Sequence, residues 1–227
     1  MGLEHRKVRG RPLASSRPEA NMPEPKPVPP SVESVDLRIL DLAADHVRRF
    51  GAARLTIVAV ARDAGMSHGN VYRYFSSKEA LFDAVTEQWL KPVESDCRRI
   101  AEAPDPAFDK LERIIVSIYR SYRDKLESDP EIFDLFCQSV EEGRTIARKH
   151  RTRIQSEIQK VLEEGTGGGM FEVADQRRAL ALVFDAAYRF MSPVSIRLDR
   201  NVPRSQMDGR CDRCVRLMLR ILASGKI

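Results

Sequence analysis

Long apolar runs are missing from this chain of 227 residues. No stretch approaches the roughly 18 consecutive apolar residues that crossing a membrane requires. Four cysteines are too few for a disulfide framework in a chain of this length. The N-terminal segment is polar and rich in proline, which does not predict a signal or transit peptide. We therefore expect a cytoplasmic protein with reduced thiols and no membrane partner.

Signatures of catalysis are also scarce. The four histidines are dispersed along the chain, and no nucleophile motif surrounds a serine or cysteine. The glycine-rich segment 165–169 follows a predicted helix instead of a strand and lacks the Lys-Ser/Thr of a phosphate loop, so we interpret it as a flexible connection. The sequence therefore predicts no catalytic residues and no cofactor.

Cys211 and Cys214 form a C-x-x-C pair, which is half of a zinc site. No second pair of ligands follows at a suitable spacing, so we expect no metal. On a helix the two cysteines stand at i and i+3 on one apolar face. That position suits a seam between two copies of the chain.

Positive charge is concentrated at the N-terminus. The whole chain carries +5, and residues 1–30 hold six Lys/Arg against three Asp/Glu. The same segment is proline-rich and has little to bury, so we interpret 1–30 as a disordered basic arm. Within it, Arg9, Gly10, Arg11 and Pro12 resemble the core of an AT-hook, which enters an A·T minor groove. A generic basic tail that adds non-specific DNA affinity is the open alternative.

From residue 31 onward the apolar residues recur with helical spacing, and no stretch alternates long enough to predict a sheet. The fold class is therefore predicted as all-α, with a DNA-binding domain over 31–91 and a second helical domain over 92–227. Pro92 should kink the long fourth helix or divide it. One later helix should carry Leu180 through Phe190, and the last should span about 204–223.

The segment 56–75 predicts a helix-turn-helix. Thr56 and Ser67 are N-cap residues for two short helices, and Gly65 allows the tight turn between them. Val71 and Phe75 should anchor the second of these helices to the core. Residues left free of the core, which would face the major groove of DNA, are His68, Asn70, Tyr72, Arg73 and Tyr74.

These side chains suit DNA recognition. Asn70 can bond an adenine edge through two hydrogen bonds, and His68 can donate to a base or a phosphate. Tyr72 and Tyr74 can donate to phosphates or pack on thymine methyl groups. Residues expected to hold the DNA backbone at the starts of the helices are Thr56, Ser67 and Lys78.

The run L-T-I-V-A-V-A-R-D-A-G-M-S-H-G-N-V-Y-R-Y-F-S-S-K-E-A-L resembles the DNA-binding domain of tetracycline-repressor (TetR) family regulators. The matching positions are Thr56, Ala61, Ala64, Gly65, Ser67, Gly69, Tyr72, Phe75, Ser77, Lys78, Glu79 and Leu81. The resemblance adds Gly69 to the expected DNA-contacting positions. Asn70 stands where the family often has Thr or Ser, and Tyr74 where His is common, so the operator sequence cannot be inferred.

The resemblance implies a homodimer in which the last two helices of each subunit form a four-helix bundle. It also implies a cavity for a small-molecule effector that shifts the fourth helix and releases a near-palindromic, double-stranded operator. The expected function is thus a ligand-responsive repressor, with a ligand-independent or architectural DNA-binding protein as the alternative. Aromatic and thiol side chains that could line the cavity for an apolar or aromatic ligand, or simply fill the core, are Tyr119, Tyr122, Phe133, Phe136, Cys137, Phe184 and Tyr188.

Overall fold

The computed structural model describes residues 1–2 and 34–226. Within this part of the chain every regular element is a helix, which confirms the all-α prediction. The proposed minor-groove residues Arg9, Gly10, Arg11 and Pro12 lie outside the described residues. The helices are α1 Val35–Phe50, α2 Ile57–Asp63, α3 His68–Tyr74, α4 Lys78–Ala101, α5 Ala107–Ser128, α6 Pro130–Glu141, α7 Thr145–Gly167, α8 Gln176–Ala186, α9 Tyr188–Met191, α10 Pro193–Leu198 and α11 Arg204–Ala223.

The predicted caps and turn of the helix-turn-helix are confirmed. Thr56 Oγ1 accepts a hydrogen bond from the backbone N–H of Ala59 at 3.1 Å, and Ser67 Oγ accepts one from Asn70 at 3.3 Å. Gly65 has a φ of 69°, in the left-handed region where a side chain is strained. The two caps accept hydrogen bonds from backbone N–H groups that would otherwise have no acceptor at the helix N-termini. The turn at Gly65 then sets the direction of α3 relative to α2.

A small apolar core holds α3 in place. Val71 is fully buried and Phe75 is 9% exposed, as the sequence predicted. They pack with side chains from α1, α2 and the first half of α4, and also with Ile132 and Leu135 from α6. The DNA-binding unit therefore shares its core with a helix of the C-terminal part.

α4 runs without interruption through Pro92. The helix is therefore not broken at this residue, and the expected kink there stays a prediction. Proline has no N–H, so Pro92 cannot donate to the carbonyl of Gln88, one turn earlier. Packing of Leu90 and Val93 on the larger core, where both are buried, keeps the helix continuous.

α5 is the central helix of the larger core. Its side chains Leu111, Ile114, Ile115 and Ile118 have no exposed surface, and the helix packs against α4, α7, α9 and α11. Long apolar side chains every third or fourth residue make this face continuous. The core extends from the middle of α4 to the end of α11.

The segment 165–169 is not a flexible connection. Residues up to Gly167 belong to α7, and Gly165 is buried. A Cβ at Gly165 would lie 2.2 Å from Phe171 Cδ2, so this position requires glycine for close packing. Only Gly169, with a φ of 71°, acts as a turn residue.

The single helix expected to carry Leu180 through Phe190 is two helices, α8 and α9, and a third, α10, follows them. α8 ends at Ala186, α9 is one turn, and α10 begins at Pro193 after Ser192. Ser192 Oγ accepts a hydrogen bond from the N–H of Ser195 at 3.4 Å, so it caps α10. The last helix spans residues 204–223 as predicted. Within the described residues, no helix is long and apolar enough to cross a membrane.

Candidate functional site

The recognition helix α3 presents one polar face to solvent. The predicted DNA-contacting residues on the surface of this unit are Thr56, Ser67, His68, Gly69, Asn70, Tyr72, Arg73 and Tyr74, and all are exposed. Tyr72 and Tyr74 are 50% and 48% exposed, which is high for large aromatic side chains. Their exposure makes this helix face available to a partner.

Lys78 differs from the other predicted contacts because it is only half-exposed. Its Nζ donates to the carbonyl of Ala53 at 3.5 Å and lies 5.2 Å from the centre of the Phe82 ring. The ammonium thus stands next to the N-terminus of α4, held by weak contacts. A phosphate could replace them without breaking an ion pair.

A cavity of about 230 Å³ lies in the C-terminal part. Its buried end is formed by Tyr122 and His150, and Tyr188, which is 60% exposed, lies on its open side. The lining residues are Tyr122, Phe136, Val140, Gly143, Ala147, Arg148, His150, Arg151, Ile154, Phe184, Tyr188, Met191, Ser192 and Pro193. The wall is mainly apolar and aromatic, which is typical of small-molecule sites.

Four of the seven residues expected at a pocket line this cavity: Tyr122, Phe136, Phe184 and Tyr188. Tyr119, Phe133 and Cys137 do not line it, because they fill the core instead. Tyr119 packs edge-on against Phe190 with ring centres 5.7 Å apart, and Phe133 is fully enclosed. Burial raises the pKa of the Cys137 thiol to about 12, so this thiol stays protonated at neutral pH.

A chain of short hydrogen bonds forms the polar end of the cavity. The Tyr122 hydroxyl lies 2.6 Å from His150 Nε2, and His150 Nδ1 lies 2.7 Å from Oε1 of Glu94. With a neutral imidazole, Nδ1 donates to the carboxylate and Nε2 accepts from the tyrosine. Tyr122 belongs to α5, His150 to α7 and Glu94 to α4, so the chain joins three helices.

The environment of this chain perturbs both of its acidic groups. Burial raises the pKa of Tyr122 well above its ordinary value, so the hydroxyl stays protonated. Burial alone would also raise the pKa of Glu94, but the hydrogen bonds from His150 and Arg153, together with the charge of Arg153, hold it below its ordinary value. Glu94 is therefore a carboxylate at neutral pH.

Arg153 forms salt bridges to Glu94 and to a second carboxylate of α4. Its Nη1 donates to Glu94 Oε2 at 2.9 Å, and its Nη2 donates to Glu87 Oε1 at 2.9 Å. Both acceptors belong to α4, and Arg153 belongs to α7. The helix that lines the cavity is therefore bonded to two points of the helix that follows the recognition helix.

Sequence reasoning did not find His150, Glu94, Arg148 or Arg151. The partners of His150 and Glu94 are far away in the sequence, and no short motif surrounds any of the four residues. One signal was present: His150 stands between Ile146 and Ile154 at i+4 spacing, on the inward stripe of a polar helix. A histidine at such a position must find partners inside the protein.

The two cysteines of the C-x-x-C pair face the protein's own core. Cys211 is 1% exposed, and Cys214 Sγ donates to the carbonyl of Ala186 at 3.1 Å. Burial raises the pKa of Cys211 to about 12. Cys211 therefore cannot contribute to a seam between subunits. In the described residues no three His, Cys, Asp or Glu side chains form a group suited to a metal ion.

This combination of an exposed, capped recognition helix and a helical body with an apolar cavity defines a helix-turn-helix DNA-binding protein. Two family models match the chain. The model described as "Bacterial regulatory proteins, tetR family" matches residues 39–85, and "Tetracyclin repressor-like, C-terminal domain" matches residues 107–213. The chain belongs to the TetR family of transcriptional regulators. Both models describe regulators of transcription rather than enzymes.

Known proteins agree with this assignment. The transcriptional regulator RutR of Escherichia coli is 33% identical over 109 residues, which are 46% of this chain and 47% of RutR, so the match spans about half of that protein. The structure of FadR from Bacillus subtilis with stearoyl-CoA has a TM-score of 0.59 at 17% identity and covers 83% of this chain and 98% of FadR. RolR with resorcinol has a TM-score of 0.58 at 20% identity, covering 84% and 88%. These structures share the fold.

Proposed function

We propose that this regulator is a homodimeric repressor that leaves a near-palindromic operator when a small molecule enters the cavity. DNA binding depends on the exposed face of α3, with Asn70 reading a base and Lys78 holding a phosphate. The effector changes the position of α4. Because effector and operator then favour different separations of the two recognition helices, each weakens the binding of the other by the same factor.

The observation that carries this proposal is the bond between the cavity wall and α4. His150 lines the cavity and lies 2.7 Å from Glu94 of α4. α4 begins at Lys78, directly after the recognition helix ends at Tyr74. A ligand that displaces His150 therefore acts on a helix that is continuous to the DNA-binding unit.

Ligand-bound relatives of the fold support an effector. FadR was solved with stearoyl-CoA and RolR with resorcinol. The two ligands differ in size and chemistry, so the fold accommodates a cavity without determining its occupant. The identity of the effector must therefore be argued from the lining of this cavity.

The dimer is proposed from the family resemblance and one face of α11. Leu217 is 61% exposed, and Ile221, one turn further along the helix at i+4, is not fully buried. Apolar side chains at this spacing suit a helix seam. We expect sedimentation equilibrium to give twice the chain mass, and Leu217→Glu to shift the protein toward monomer while α3 stays folded.

The test of the function is selection of bound sequences from random duplex DNA, with the full chain and with a version lacking residues 1–30. We expect both to enrich one two-fold symmetric site. An A·T-rich flank enriched only by the full chain would support the minor-groove arm. If folded protein enriches no site, the proposed operator binding is wrong, and a site whose occupancy no small molecule changes would favour the ligand-independent alternative.

A further inference from the structure

The charged and buried polar groups of the cavity differ in exposure, and Ser192 and Tyr188 add two hydroxyls to its lining. Tyr122 and His150 are 1% and 2% exposed and form the inner end. Arg148 and Arg151 lie on exposed positions of α7 and form the outer end. Between them the wall is apolar, with side chains such as Phe136, which is 2% exposed. A ligand that fills the cavity meets positive charge at one end and a hydroxyl at the other.

About half of the arginines in the described residues have a carboxylate partner, and the two at the cavity are among those that do not. Arg144, Arg153 and Arg197 are each paired with carboxylates. Arg148 and Arg151 have no carboxylate partner among the residues that the structure describes. Arg148 donates instead to neutral oxygens of Gly143 and Thr145.

The lining of the cavity carries no acidic side chain either, so nothing in its wall neutralises these guanidinium groups. Arg151 lies with Cζ 5.3 Å from the centre of the Phe184 ring. This contact holds a cation beside an aromatic wall. Guanidinium groups without acidic partners at the mouth of an apolar cavity favour an anion with an apolar body.

The size of the cavity limits that body. A cavity of about 150 Å³ accepts benzene, so the present volume of about 230 Å³ suits one ring with short substituents. The single ring of the ligand can pack against the aromatic rings of Phe136, Phe184 and Tyr188. A long acyl chain would have to extend out of the open side of the cavity.

We propose that the effector is a small aromatic monocarboxylate, with its carboxylate at Arg148 and Arg151 and its ring between Phe136 and Phe184. This inference rests on the proposed function, because it names the effector of that regulator. When Tyr122 donates to His150, its oxygen keeps an accepting position. A hydroxyl on the far side of the ring from the carboxylate can donate to it, so a para-hydroxylated acid should bind more tightly.

The test is direct binding by isothermal titration calorimetry with benzoate, benzamide and benzylamine, which share one ring and differ in charge. We expect benzoate to bind at least about tenfold more tightly than benzamide, because a charge-assisted pair with arginine is lost in the amide. Benzylamine should not bind. 4-Hydroxybenzoate should bind more tightly than benzoate.

Trp89 reports where the ligand binds. It is the only tryptophan of the chain, and its ring packs edge-on against Phe136 with centres 6.4 Å apart. Because Phe136 lines the cavity, benzoate should change the fluorescence of Trp89 with the same dissociation constant as the calorimetry. An unchanged Trp89 signal despite measured binding would place the ligand elsewhere and overturn the proposal.

Three variants of α7 test the role of the arginines. Arg148→Gln and Arg151→Gln each remove one charge from the cavity, and each should weaken benzoate about tenfold while leaving benzamide unchanged. Lys149→Gln removes the same charge from an exposed position of the same helix that does not line the cavity, and benzoate affinity should stay the same. Circular dichroism verifies that all three are folded.

Several results would overturn the proposal: no heat with benzoate up to millimolar concentration, equal affinity for benzamide, or equal weakening by Lys149→Gln. These assays contain no DNA, so they fail independently of the operator selection. A protein that selects a symmetric DNA site but binds no benzoate keeps the proposed function and loses this effector class. A protein that binds benzoate but selects no DNA site keeps the assigned ligand class and loses the proposed regulatory function.

Discussion

Arg48 on α1 holds the carboxylate of Asp129 at the start of α6. Its Nε lies 3.2 Å from both carboxylate oxygens, and its Nη2 lies 3.0 Å from Oδ2. The same Oδ2 accepts a hydrogen bond from Trp89 Nε1 of α4 at 2.9 Å. One carboxylate, 12% exposed, therefore ties the first helix of the DNA-binding unit to two helices that reach into the larger core.

Asp129→Asn should lower the free energy of unfolding by about 1–3 kcal/mol, because the amide keeps one acceptor oxygen and loses the charge that both donors face. Asp45→Asn is the matched control. Asp45 also pairs with Arg48, but it is 66% exposed, so its loss should cost less than about 0.5 kcal/mol. Urea denaturation measures both. Equal losses of unfolding free energy in the two variants would show that the buried Asp129 contributes no more to stability than the exposed Asp45.

Asn70→Ala should relax the preference for one base pair in each half of the selected DNA site, at a cost of about 1–3 kcal/mol. Lys78→Ala should instead weaken binding to every sequence by a similar factor, because a phosphate contact carries no base information. Fluorescence anisotropy with single-base variants of the site distinguishes these patterns. The control Asn201→Ala makes the same substitution in an exposed connection before α11, and it should change neither the base preference nor the overall affinity for DNA. Unchanged base preferences in Asn70→Ala would show that another residue reads the DNA.

Local rules predicted the DNA-binding unit well. Caps, a turn glycine and inward apolar residues lie within about twenty residues of one another, so Thr56, Gly65, Ser67 and Val71 could be assigned from neighbours alone. The chemistry of that unit also faces outward, where side chains keep their ordinary properties. Which bases the exposed residues contact stays a prediction.

The cavity could not be predicted in this way. Tyr122, His150 and Glu94 meet only after three helices pack, and each looks ordinary in its own segment. The division of 176–198 into three helices was missed although Ser192-Pro193 is a usual start for a helix. An aromatic residue such as Phe133 looks the same in sequence whether it fills the core or lines a cavity.

Glu94→Gln should separate ligand binding from DNA release. The amide still accepts from His150 but loses the charge that pairs with Arg153, so we expect benzoate affinity to change less than about threefold. The factor by which benzoate weakens DNA binding, commonly about 5–150 in allosteric proteins, should fall toward one. Glu163→Gln, on an exposed position of α7, should leave that factor unchanged. A normal factor in Glu94→Gln would exclude this carboxylate from the coupling.

The lowered pKa of Glu94 predicts how stability changes with acid. The folded protein binds fewer protons than the unfolded chain around the ordinary value of 4.5, so this carboxylate contributes its full stability above that value. The contribution is lost as the pH falls through the folded-state pKa. The difference in unfolding free energy between the parent protein and Glu94→Gln, measured in urea, should therefore be full above the ordinary value of 4.5 and shrink as the pH falls below it. A constant difference across this range would contradict the assignment.

Two glycines of α7 should respond oppositely to the same substitution. Gly167→Ala meets open space and should stabilise the helix by up to about 1 kcal/mol. Gly165→Ala places a Cβ 2.2 Å from Phe171 Cδ2 and 3.0 Å from the Cβ of Ala107, so it should destabilise by about 1–3 kcal/mol despite the better helix propensity. Thermal unfolding measures the pair. A stabilised Gly165→Ala would mean that Phe171 moves aside freely.

Pro92 removes one backbone hydrogen bond from α4, and two side chains from other helices form hydrogen bonds to α4 near this position. Lys125 Nζ donates to the carbonyl of Trp89 at 2.9 Å, and Arg153 bonds Glu87 before the proline and Glu94 after it. α4 is therefore continuous but lacks one backbone hydrogen bond at Pro92, and the salt bridges that span this position come from Arg153 of α7, the helix that carries Arg148, His150 and Arg151. Under the proposed function, a ligand that moves α7 would break these salt bridges, so the cavity's occupant would change the stiffness of α4 as well as its position.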